Sequence, residues 1–193
     1  MLIKVCGMKE AGNIMQLAEQ PIDMMGFIFY KASKRYTPKI PITLPKRIKK
    51  IGVFVNADID ELLKIAENNR LDFVQLHGKE SPSYCEKVRS SGFKVIKAFG
   101  ISPGFDFTLA VAYSEYVEMF LFDTKTELYG GSGRKYDRNI LKAYKSSVPF
   151  LLSGGISPGD EQELSEFSHE CFRGIDINSR FEIEPGIKDT AMI

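Results

Sequence analysis

The chain has 193 residues, 26 Lys plus Arg against 25 Asp plus Glu, and 44% hydrophobic residues. That balance suits one globular α/β domain and gives no reason to expect nucleic acid as a partner; the densest basic run, Lys46 to Lys50, lacks interleaved aromatics and reads as the solvated end of a helix. No apolar run approaches the roughly 20 residues of a membrane span. The N-terminus lacks a signal-peptide pattern, and the three cysteines, Cys6, Cys85 and Cys171, suggest neither a disulfide framework nor a zinc site, so the expected setting is a reducing cytoplasm without a membrane partner.

In chain order, short β-rich apolar runs recur at Leu2–Cys6, Met24–Phe29, Lys50–Val55, Asp72–His77, Lys94–Phe99, Met119–Asp123, Pro149–Gly154 and Gly174–Ile177. Successive ends are about two dozen residues apart, room for one strand, one helix and two tight loops. Between them, Asp58 to Asn69 is amphipathic, with Ile59, Leu62, Leu63 and Ile65 on one face. Ser81-Pro82 reads as an N-cap followed by proline at the first helical position, and Ser157-Pro158 before Glu161 to Phe167 repeats the device. Asp137 to Tyr144 is a short helix candidate and Asp106 to Tyr116 a weaker one. A helix within Pro41 to Lys50 starts after Pro41 or after Pro45.

Eight such units with continuously apolar strands point to a parallel sheet buried on both faces. An open doubly wound sheet uses the same pattern. The count of eight, and polar residues after every strand rather than at one switch point, favour a closed (β/α)8 barrel over residues 1–193. The chain is short for a barrel, whose usual length is about 250 residues. Its loops must be tight and its closing C-terminal helix shortened.

In a β/α barrel the active site lies at the C-terminal strand ends. There the sequence places Cys6, Arg35, His77, Asp123, Gly154-Gly155, Asp176 and Asn178-Ser179. Cys6 is either a small buried hydrophobe or, with local cations, a base. Asp123 either pairs with Lys125 or acts as a general acid. Arg35 suits a carboxylate, and His77 reads as a structural residue fixing a loop. Gly130-Gly131-Ser132-Gly133 and Gly154-Gly155 are backbone sites where an anion can approach closely. No Walker or dinucleotide fingerprint is present, so no nucleotide cofactor is expected.

Lys4-Val5-Cys6-Gly7-Met8, Gly26-Phe27-Ile28-Phe29 with Ser33-Lys34-Arg35-Tyr36, Gly52 to Asn56, Val74-Gln75-Leu76-His77-Gly78, Phe122-Asp123-Thr124, Gly131-Ser132-Gly133, Ser153-Gly154-Gly155-Ile156, and Gly174-Ile175-Asp176 through Glu182, Gly186 and Lys188-Asp189 together resemble the phosphoribosylanthranilate isomerase family of tryptophan biosynthesis. The resemblance covers nearly the whole chain and implies a small β/α barrel. It implies an Amadori rearrangement of a phosphorylated small molecule, with Asp123 as general acid, Cys6 as general base and no cofactor or metal. It further implies Arg35 on the anthranilate carboxylate, Asp176 near the anthranilate amine, and the phosphate on backbone around Gly154, Gly155, Asn178 and Ser179. A monomer and a homodimer both fit. Arg180 stands where the family usually has glycine; it either carries backbone strain or adds a phosphate contact. A related aldose–ketose isomerase of the histidine pathway would rely on an aspartate pair, which Cys6 disfavours. A non-catalytic phosphate-binding barrel would lack the acid or the base.

Overall fold

The computed structural model describes residues 1–124 and 137–193. Its frame is a closed barrel of eight parallel strands in the order of the chain. The elements run β1 (Leu2–Cys6), α1 (Ala11–Leu17), β2 (Met24–Ile28), β3 (Lys49–Phe54), α2 (Ile59–Asn69), β4 (Phe73–Leu76), α3 (Pro82–Ser90), β5 (Lys94–Ile101), α4 (Thr108–Val111), β6 (Met119–Thr124), β7 (Phe150–Leu152), α5 (Glu161–Glu166) and β8 (Phe172–Ile177). A short hairpin, β9 (Glu182–Glu184) and β10 (Ile187–Lys188), follows. A single 3₁₀ turn, Thr190–Met192, follows the hairpin.

Alternation along each strand sorts the interior into layers. Met24, Ile51, Phe73, Ile96, Met119, Leu121 and Leu151 form an apolar floor inside the barrel. Two residues further along their strands, the same inward parity brings Gln75, Asp123 and Ser153 into the cleft above. On β1 it runs Leu2, Lys4, Cys6. The seam closes where β8 pairs with β1 in register, Leu2 opposite Gly174 and Lys4 opposite Asp176. A Cβ at Gly174 would lie 2.0 Å from the Leu2 carbonyl oxygen, so only glycine permits this approach.

Among the described residues the outer layer is thinner than eight α-helices. Helix α2 begins at Asp58, whose carboxylate accepts the Asp60 and Glu61 N–H groups, and α3 begins at Ser81 with proline inside its first turn. The Ser81 cap follows the sequence reading, which gave Asp58 only as the start of an amphipathic segment. Ser157-Pro158 does not cap α5: the Ser157 N–H and hydroxyl instead bond the Asp160 carboxylate, closing a turn before the helix. No helix forms within Pro41 to Lys50. Pro38, Pro41 and Pro45 remove donors and disfavour helical geometry in the residues before them. Ile40, Ile42 and Leu44 instead pack on the core from an irregular strip. Helix α1 was not marked by the sequence reading; its cap is Glu10, whose carboxylate accepts the Gly12 and Asn13 N–H groups. Asp137 to Tyr144 forms a 3₁₀ helix, Arg138–Ala143. Here and at the four-residue α4, rings cover the sheet that longer helices would: Phe107, Phe120, Phe122, Tyr144 and Phe150 pack at centroid distances of 5.1 to 6.2 Å.

Replacing Gly174 with alanine should force the β1–β8 seam apart. We expect a loss of at least about 1–3 kcal/mol, the scale of overpacking. The urea midpoint should fall with little change in m; an unchanged midpoint would show that the seam tolerates a side chain.

Candidate active site

A cleft opens above the barrel floor. Cys6, Gln75, His77, Asp123, Ser153, Gly154, Gly155, Asp176, Asn178 and Ser179 line it, with Ile28, Tyr30, Ser33, Val53, Val55 and Ile156. Strand polarity puts all of them at C-terminal ends. The structure therefore brings together every sequence-predicted site residue except Arg35. Lys125 and Gly130 to Gly133 lie outside the described residues.

Cys6 ends β1, inward and 4% exposed. Gly26 on the neighbouring strand makes room for it, since a Cβ there would lie 2.7 Å from Cys6 Sγ. Burial pushes the thiol above its ordinary value, and the nearby Asp176 carboxylate adds to this. Lys4 and Lys188 work the other way and favour the thiolate. Lys4 is fully buried and its ammonium donates to Asp176 Oδ1 at 2.8 Å. Burial opposes the Lys4 charge, but Asp176 and Cys6 hold it above its usual value. Burial likewise pushes the Asp176 carboxyl up, against the pull of Lys4. The sequence reading passed over Lys4, although its place two residues before Cys6 gives it the same inward parity.

Asp123 ends β6, 8% exposed. Its Oδ1 accepts the Thr124 N–H at 2.8 Å, and its Oδ2 lies 3.4 Å from His77 Nε2. Gln75 Nε2 lies 2.8 Å from His77 Nδ1, a hydrogen bond whose direction is set by the imidazole tautomer. His77 thus belongs to the site and is more than a loop anchor. Its loop is clamped from behind. Lys97 donates to the Leu76 and Gly78 carbonyls at 3.1 and 2.8 Å and to Glu80 at 3.0 Å. Glu80 accepts the Asn56 and Gly78 N–H groups at 2.7 and 2.9 Å.

Gly154 and Gly155 both hold positive φ, 87° and 69°. Successive residues of this kind turn backbone N–H groups toward one side, an anion-accepting geometry. A Cβ at Gly154 would meet Thr124 Oγ1 at 2.2 Å and Asp123 Oδ1 at 2.9 Å. Asn178 and Ser179 face this pair from the end of β8, where Ser179 opens a 3₁₀ turn. Arg180, on that turn, is exposed, and its φ lies outside the left-handed region; only Asn56 and Arg70 are non-glycine residues with positive φ among the described residues. The strain expected at Arg180 is therefore absent.

Arg35 stands at the rim. Its stem lies against Gly7, whose Cβ would be 2.6 Å from Arg35 Cδ. Its guanidinium forks onto Glu182, with Nε at 2.9 and 3.0 Å and Nη2 at 2.6 Å. Glu182 and Lys188 appeared in the sequence only as matching letters without roles.

The family model for N-(5'-phosphoribosyl)anthranilate (PRA) isomerase matches residues 3–193. The N-(5'-phosphoribosyl)anthranilate isomerase of Parabacteroides distasonis is 48% identical, over 98% of this chain and 88% of the relative. Among solved structures, the phosphoribosyl anthranilate isomerase of Thermus thermophilus superposes with a TM-score of 0.85 at 28% identity, covering 100% of this chain and 94% of that one. Another phosphoribosyl anthranilate isomerase, solved in complex with reduced 1-(o-carboxyphenylamino)-1-deoxyribulose 5-phosphate, gives 0.80 at 28% identity with the same coverage. A thiol, a carboxylate and a glycine pair around one cleft, in a barrel matched along almost its whole length, place the chain in the N-(5'-phosphoribosyl)anthranilate isomerase family.

Proposed function

We propose that this chain converts N-(5-phosphoribosyl)anthranilate to 1-(2-carboxyphenylamino)-1-deoxyribulose 5-phosphate, an aldose–ketose isomerisation of tryptophan biosynthesis, with Asp123 as acid and Cys6 as base. The observation that carries the reading is one cleft flanked by a β1 thiol and a β6 carboxylate, in a chain of this family.

Asp123 protonates the furanose ring oxygen, the ring opens, and the substrate's own nitrogen takes up the positive charge as an iminium. Cys6, as thiolate, removes the proton from sugar C2, and the electron pair left behind neutralises the iminium to give an enolamine. The enolamine tautomerises to the ketone. The electron sink is built from the substrate, so the chemistry asks for no added electrophile. One proton leaves Asp123 and one arrives at Cys6, as an isomerisation requires. The His77 imidazole, with Nε2 3.4 Å from Asp123 Oδ2, is placed to stabilise the carboxylate that Asp123 becomes. The N–H groups around Gly154 and Gly155, with Asn178 and Ser179, suit the phosphate. Arg35 suits the anthranilate carboxylate and Asp176 the anthranilate amine. Three free thiols fit a reducing cytoplasm, and among the described residues no helix is long and apolar enough to cross a membrane.

With freshly made phosphoribosylanthranilate, the loss of substrate fluorescence should report turnover in the unaltered chain. Cys6→Ala and Asp123→Asn should each lower kcat by at least about 10²-fold, the usual scale for general acid–base groups. Full turnover in both would remove these assignments.

Burial and Asp176 hold the Cys6 thiol high, so kcat should rise with pH along its acid limb as thiolate forms. In Cys6→Asp the base becomes a carboxylate, with an ordinary value about four to five units lower. The limb should then move to lower pH, and an unmoved limb would mean that it reports another group.

His77→Leu should lower kcat about tenfold, the scale of a hydrogen bond to a charged group, with little change in KM. His77→Asn keeps an N–H donor and should recover part of the loss. Equal losses in the two variants would leave His77 a packing role only.

A further inference from the structure

Lys188 is a second fully buried lysine beside the cleft, and the reaction as described does not use it. It sits on β10, outside the barrel sheet. Asn13 of α1 holds its backbone on both sides: Asn13 Oδ1 accepts the Lys188 N–H at 2.7 Å, and Asn13 Nδ2 donates to the Lys188 carbonyl at 2.8 Å. Its ammonium meets three acceptors, Glu182 Oε1 at 2.6 Å, Asn178 Oδ1 at 2.7 Å and the Asn178 carbonyl at 3.3 Å. Three acceptors match the three protons of the charged form; a neutral amine would leave one unserved.

Glu182 connects this lysine to the rim of the cleft. The same carboxylate that takes Lys188 takes the fork of Arg35 and the Gly186 N–H at 3.0 Å. The Lys188 and Glu182 side chains are 0% and 4% exposed, and that of Arg35 is 14% exposed. A guanidinium forked onto a carboxylate is by itself a neutral pair with little attraction for another anion. With a second cation on that carboxylate, the trio keeps one net positive charge. Two of its members are sealed in, so that charge faces outward at Arg35. The lysine thereby resolves a conflict: Glu182 holds the guanidinium still but would otherwise cancel it.

We propose that Lys188 is a positioning residue that neutralises Glu182, so that Arg35, held rigid by Glu182, stays electropositive toward an anionic group of the substrate. The same ammonium also holds Asn178, which lies beside the Arg35 stem against Gly7 on the same rim. The inference rests on the reading of Arg35 as a substrate-binding residue. Lys188 also favours the Cys6 thiolate, a smaller effect in the same direction.

The test measures kcat, KM and thermal midpoint in the full-length chain for Arg35→Met, Lys188→Met and the double variant Lys188→Met/Glu182→Gln. Lys188→Met leaves Arg35 facing an uncompensated carboxylate and should raise KM about tenfold or more, the scale of a charged hydrogen bond, with a smaller change in kcat. Adding Glu182→Gln removes the cancelling charge and should bring KM back to within about threefold of the unaltered chain, although it deletes a further ionic contact. A lysine that only packs would show no such recovery, because the second substitution would add to the damage. A KM that stays high in a folded double variant, or that never rises in Lys188→Met, overturns the proposal. If Lys188→Met alone does not fold, the double variant, which leaves no buried charge unpaired, still decides: KM near the unaltered value supports the proposal, and KM as high as in Arg35→Met overturns it. An unchanged KM in Arg35→Met would instead overturn the reading of Arg35, and the proposal would fall with it for that distinct reason.

Discussion

A lysine sealed inside a barrel must have an anion beside it, and much of this molecule follows from how Lys4 meets that demand. Removing one partner of a buried pair typically costs about 3–5 kcal/mol, because the remaining charge is stranded. Lys4 finds Asp176 directly across the seam that closes the barrel, in register and at 2.8 Å. A slip of one residue along that seam would turn Lys4 outward into the helix layer and carry Cys6 out of the cleft with it. The pair therefore ties barrel closure to the orientation of the thiol. Below it the interior is apolar, and above it the chemistry begins.

The cleft is supported by two polar networks, each on one side. Lys97, Glu80 and Asn56 bind the loop after β4, which carries His77 toward Asp123. Lys188, Glu182 and Asn13 bind the rim that carries Arg35 and Asn178. In both, a buried lysine supplies several donors to loop carbonyls and one carboxylate. Such networks are rigid when every member is served and costly when one is missing. They place the mobile parts of a β/α barrel, its loops, under the control of side chains that never touch the cleft themselves.

What could be read from the sequence was local or periodic. The eight strands were visible as apolar runs, Ile59, Leu62, Leu63 and Ile65 marked α2 by sharing a face, and Ser81-Pro82 announced α3, because periodicity and capping depend on residues a few positions apart. Ser157-Pro158 carried the same letters, yet Asp160 captured the serine and made a turn instead. The strip from Pro41 was misread because its apolar residues suggested a face while its prolines ruled out the hydrogen bonds a helix needs. Cys6 and Asp123 stood at strand ends and were found there. Glu182 and Lys188 lie 147 and 153 positions from the arginine they serve. Nothing in their own neighbourhood states a role; only the closed barrel, which folds the C-terminal hairpin back against α1 and the loop after β2, brings them to it.

The proline strip that replaces a helix between β2 and β3 also bears on how this barrel opens. Its bonds run mostly to other elements, such as the Ile40 N–H to Asn69 Oδ1 and the Arg47 guanidinium to carbonyls of the loop after α1. A helix carries its own ladder and can persist when its neighbours loosen, whereas this strip has little order apart from the strands beneath it. The amide protons of the β2–β3 flank should thus exchange with water as a unit of local opening below the global one. Arg35 hangs from the end of β2. It thus hangs from a side of the barrel with little order of its own, and Glu182 and Lys188, from the hairpin after β8, fasten that side.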